Sequence, residues 1–118
     1  MEKSNVLLFI FLFLMASPGA FSEEITRDGA EMLLEKCMEQ REELLAPERE
    51  EAVEWCIEKR RRSREYCESY HRTYGARRYR ANGTWAPALY MDLPDCVKAL
   101  EAQRYFRMNP SRGTYTAQ

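Results

Sequence analysis

Residues 37–56 read CMEQREELLAPEREEAVEWC, with a cysteine at each end and Ala46-Pro47 at the centre. The reading of that proline decides the fold. Proline has no N–H to donate, and a helix accepts it most readily in its first turn. Upstream, Ala30, Leu33, Leu34, Cys37, Met38, Leu44 and Leu45 recur at helical spacing and predict a helix over 28–45. Downstream, Glu48, Glu50 and Glu51 put acids in what would be a first turn, and no Pro or Gly follows until Gly75. That pattern predicts a second helix over 47–74. Asp92-Leu93-Pro94-Asp95 marks a third helix start, running to about Met108 before Asn109-Pro110. The expected fold is all-α: a small, disulfide-stabilised antiparallel helical hairpin plus a third helix, joined by a long aromatic and arginine-rich loop.

The cysteines follow from that hairpin. There are four, Cys37, Cys56, Cys67 and Cys96, and an even count in a short exported chain reads as two disulfides. Turning the helices at 46–47 puts Cys37 and Cys56 at one height. Cys56 and Cys67 lie eleven residues apart on what would be one helix, a rise of roughly 16 Å, too far for a bond. The predicted pairing is therefore Cys37–Cys56 and Cys67–Cys96. Zinc wants closer cysteine pairs, and His71 is the single histidine, so no metal or other cofactor is expected.

Ahead of this region, Lys3, an apolar run from Val6 to Ala16, Pro18-Gly19, and Ala20 and Ser22 before Glu23 form the three-part pattern of a cleavable secretory signal, residues 1–22. The run is short for a membrane span. A periplasmic or secreted destination is expected, with membrane contact only before cleavage. Residues 23–108 form the expected domain, and 109–118 a mobile tail. Without the signal, Leu, Ile, Val and Phe number only 12, so disulfides and aromatics must replace an aliphatic core.

The net charge of −1 conceals segregation. Residues 23–58 hold 13 acidic and 4 basic side chains, whereas 59–80 hold 9 basic and 2 acidic. Arg60, Arg61, Arg62 and Arg64 lie in the densest run, followed by Arg77, Arg78, Tyr79, Arg80, Trp85 and Tyr90. Much of this charge suits a solvated helix face. Arginines interleaved with aromatics also suit a binding surface. Asn82-Gly83 signals a turn, and Asn82-Gly83-Thr84 has the pattern of a glycosylation acceptor. Trp85 is expected either to anchor the loop or to meet a partner. With His71 alone and the thiols consumed, no nucleophile–base pair emerges, so no enzyme is expected. The leading expectation is a non-catalytic binding protein that contacts another envelope or extracellular protein. The alternative is a binder of an anionic polymer or lipid surface through segment 59–85, the anion being a glycan, a lipid or a nucleic acid.

Overall fold

A computed structural model describes residues 22–117. The expected signal segment lies outside the described residues except for Ser22. The first element is a short strand, β1 (Glu23–Thr26), whose Ile25 turns inward. Thr26 ends it in extended backbone and caps the next helix, its Oγ1 accepting from the Gly29 N–H at 3.0 Å. That helix, α1 (Arg27–Arg60), is 34 residues long and so spans roughly 51 Å. Its buried positions, Ala30, Cys37, Arg41, Leu45, Val53 and Cys56, follow one helical face. No helix among the described residues is long and apolar enough to cross a membrane.

The expected hairpin does not form: α1 runs through Pro47 without turning. An interior proline forfeits one backbone hydrogen bond and costs about 3 kcal/mol in isolation. Tertiary and side-chain contacts around this turn offset that loss. Arg49 grips Glu42 with both terminal nitrogens, at 2.7 and 2.9 Å, bracketing the proline. Residues 74–90 also bind this stretch of α1, as described below.

The chain turns at Arg61 instead, which takes a left-handed conformation (φ 51°, ψ 40°). Ser63 then caps α2 (Arg64–Tyr70), its hydroxyl accepting from the Tyr66 N–H at 3.2 Å. This elbow folds Cys67 back onto Cys56, and the two bond with Cα atoms 5.8 Å apart. Val53, Cys56 and Cys67 make a small buried cluster there. Arg64 braces the elbow through Glu54 (2.5 Å), Glu50 (3.5 Å) and Glu68 (3.7 Å).

The second disulfide is Cys37–Cys96, so both expected pairings are corrected. With α1 unbroken, Cys37 and Cys56 stand 19 residues apart on one helix, roughly 28 Å, and cannot meet. The break lies at 61–63, not at 46–47, so it is Cys56 and Cys67 that face each other across a turn.

The third helix, α3 (Pro94–Met108), matches its expected bounds, with Pro94 in the first turn. It runs antiparallel to α1: Cys96 meets Cys37, while Phe106 packs with Ile25, Ala30 and Ala102 at the other end. Ala99 and Ala102 are fully buried, and small side chains there let the helices approach closely. The Arg27 guanidinium lies 4.7 Å above the Phe106 ring and donates to the carbonyls of Pro110 and Arg112 at 2.7 and 2.9 Å. Residues 109–117 are therefore held against the domain rather than forming a free tail. Strand β2 (Thr114–Ala117) pairs antiparallel with β1, Ile25 opposite Tyr115 and Glu23 opposite Ala117. A second two-stranded sheet lies within residues 78–86, so the fold is mostly helical with two small sheets rather than all-α.

Peptide mapping without reduction is expected to recover Cys37–Cys96 and Cys56–Cys67; a Cys37–Cys56 peptide would refute the unbroken α1. The bridges close 59 and 11 residues. Chain entropy assigns them about 4 and about 3 kcal/mol, so C37S/C96S should lower urea stability more than C56S/C67S. The Arg64 hydrogen bond holds the Glu54 carboxyl below its usual range. That contribution is present above the unfolded-state value and is lost as pH falls through the folded one. R64Q should move the Glu54 NMR titration midpoint upward; an unmoved midpoint would separate the two groups.

Candidate functional site

The segment after α2 is held to α1 by a buried cation. Arg41 is only 7% exposed, on the apolar face between Cys37 and Leu45. Its Nε donates to the Leu89 carbonyl at 2.8 Å and its Nη2 to the Gly75 carbonyl at 3.3 Å. The Leu89 N–H also donates to the Gly75 carbonyl at 2.9 Å, so one guanidinium fastens both ends of a closed loop. Gly75 is required at that point. Its φ is +82°, and a Cβ there would collide with the Leu45 side chain. A second fastening lies at the residue directly after Pro47. The hydroxyls of Tyr90 and Tyr74 both donate to Glu48, and the Tyr90 hydrogen bond pushes its phenol above the usual range. Tyr90 is half-buried with a left-handed φ of 59°. Of the expected binding residues, it is the one that anchors the loop.

Between these fastenings the chain forms a small hairpin, β3 (Arg78–Tyr79) paired with β4 (Trp85–Ala86). The Asn82-Gly83 turn closes it as expected, with Gly83 at φ +86°. The Asn82 Oδ1 accepts from the Thr84 N–H and hydroxyl, at 3.1 and 2.6 Å. Ala86 faces inward, while Trp85 is 52% exposed. Trp85 does not anchor the loop to the helices. It meets Tyr79 edge-on at 5.1 Å, and the Arg77 guanidinium lies over it at 4.2 Å.

A similar arrangement occurs at the elbow. Arg60 lies over Trp55 and Tyr70, at 5.8 and 5.7 Å, and Arg62 over Tyr66 at 5.0 Å. Tyr66 and Tyr70 stack at 6.1 Å. Among the described residues, Arg60, Arg61, Arg62, Arg72, Arg77, Arg78 and Arg80 have no carboxylate within 4.0 Å. Arg64 differs: three glutamates engage it, and it belongs to the elbow. The expected site residues thus separate into an elbow group around Arg60–Arg62 and a hairpin group around Arg77–Arg80. A cleft of about 640 Å³ lies between them, with Tyr70 and His71 on the α2 side and Arg77, Arg78 and Arg80 on the other. Its floor includes Gly75 and Leu89, the two residues whose carbonyls Arg41 holds.

The stacks change what such a surface offers. Several exposed rings already carry a guanidinium, so a ligand meets planar N–H forks backed by π-faces rather than bare rings. Arg41, Glu48 and Gly75 were missed as site-forming residues. The available signal was Arg41 itself, a charge four residues from Cys37 and four from Leu45 on an otherwise apolar seam.

A scan of protein-family models and searches of curated proteins and solved structures found no match to this chain.

Replacing Arg41 by Leu leaves the Leu89 carbonyl without its donor and the Gly75 carbonyl with the Leu89 N–H alone, and should cost about 1–3 kcal/mol. Hydrogen exchange should quicken at Leu89 before it does in α3. Unchanged protection at Leu89 would show that the loop is held by other contacts.

Proposed function

We propose that this protein is a non-catalytic binder that holds an anionic polymer across its arginine–aromatic face. One observation carries the reading: arginines without acidic partners lie over exposed aromatic rings at both the elbow and the hairpin. Stacking limits the freedom of a guanidinium without neutralising it, so less entropy is lost when it meets an anion. Two disulfides are the mark of an oxidising compartment, in keeping with an exported protein acting in the periplasm or outside the cell.

A second reading, contact with an envelope or extracellular protein, draws on the exposure of Tyr79 and Trp85, at 63% and 52%. Salt separates the two. A polyanion complex releases counterions, so its affinity falls steeply with ionic strength, by about 0.7 in log–log slope per phosphate contacted on a single strand. Titration of labelled heparin, polyphosphate and single-stranded DNA from 50 to 300 mM NaCl should show this fall for at least one of them. R77Q/R78Q/R80Q should weaken that polymer at least tenfold and flatten its slope by about 2, the share of three contacts. Affinity indifferent to both salt and the triple substitution would reject the polyanion. A partner protein whose binding ignores salt and is lost in W85A would establish the second reading.

A further inference from the structure

We infer that the cleft between α2 and the hairpin seats one acidic sugar ring, a pyranose bearing a carboxylate or a phosphate. The inference rests on the polyanion reading and specifies which unit of the polymer is gripped. At about 640 Å³, the cleft falls in the range of small-molecule sites. Among the described residues no carboxylate lines it, whereas three arginines do. Arg77 is held in place by the Trp85 ring beneath it, and Arg78 belongs to the paired strand β3. A fork of fixed orientation matches a carboxylate or phosphate bidentately. Ala86, Pro87 and Leu89 give an apolar floor suited to the C–H face of a sugar, and Thr73 and His71 offer polar groups to its hydroxyls.

A nucleobase is the weaker match. It would have to stack on Tyr70, which is 57% exposed but already neighbours Arg60, Tyr66 and His71, or on Tyr74, which is half-buried and fixed through its hydroxyl to Glu48. The floor is also rigid. Its Gly75 and Leu89 carbonyls are bound by the buried Arg41, so the cleft exists before any ligand arrives.

The test uses the full oxidised protein, with two-dimensional ¹H–¹⁵N NMR at constant pH and ionic strength. Glucuronate, glucose 6-phosphate, glucose, inorganic phosphate and AMP are titrated separately. One of the two acidic sugars should perturb the amides of Gly75, Arg77 and Leu89 and the Trp85 indole saturably. It should bind at least tenfold more tightly than glucose or inorganic phosphate. The stronger of the two identifies the acid group. A76F, which places a ring in the cleft mouth, should abolish the response. If neither sugar perturbs the cleft while labelled heparin still binds with a steep salt dependence, the cleft inference fails and the polyanion face stands. If AMP binds tenfold more tightly than both sugars, the sugar assignment is overturned. If no polymer and no monomer binds, both readings fall.

Discussion

The Cys37–Cys96 bridge is the constraint on which the remaining structure depends. The domain has few large aliphatic side chains, and the largest fully buried side chains among the described residues are its four cysteines. A conventional core cannot position α3 under those conditions. The bridge fixes one end of the α1–α3 contact, and the small side chains of Ala99 and Ala102 allow the helices to close along its length. Ile25, Phe106 and Ala117 then finish the other end as a compact apolar cluster. Removing 59 residues' worth of loop freedom from the unfolded chain is the dominant entropic saving available to so thin a core.

Within the bridged loop, order passes from α1 outward. Arg41 and Glu48 lie about two helical turns apart on either side of Pro47 and hold the returning chain at Gly75, Leu89 and Tyr90. The proline is tolerated where the helix is most heavily supported. Beyond those fastenings the hairpin is exposed, and its surface is organised by side chains stacking on one another: Arg77 on Trp85, and Trp85 against Tyr79. The outermost layer is therefore cationic, although the chain as a whole is nearly neutral.

Different parts of this architecture were legible in the sequence to different degrees. Pro94, with Asp95 behind it and Asn109-Pro110 beyond, delimited α3 because each residue acts through local backbone chemistry. Asn82-Gly83 marked its turn for the same reason. Pro47 misled because its local preference for a helix start was overridden by ion pairing and tertiary contacts, which sequence spacing does not reveal. The true break was hidden for the opposite reason. Arg61 occupies a left-handed position that glycine or asparagine usually takes, so nothing in its residue type announced a turn. Ser63 followed by Glu65 was the remaining trace, a capping residue with an acid in the next turn. Once that elbow was missed, both disulfides were misassigned together. The basic, aromatic character of segment 59–85 was visible, but the placement of arginine over ring was not, since it depends on the folded path of the elbow and hairpin.

The pairing of β1 with β2 has a mechanical consequence. Glu23 and Ala117 are partners at the same end of an antiparallel ladder, so a load applied to both ends of the described chain would open it one hydrogen bond at a time, as a zipper. The opening could then peel the start of α1 from the end of α3, but it would stop at Cys37–Cys96. Tension entering through either end is shunted across that bond. The elbow, the cleft and the hairpin all lie between residues 37 and 96, on the unloaded side. A protein pulled by its surroundings would thus keep its arginine–aromatic face slack and intact while its terminal strands gave way.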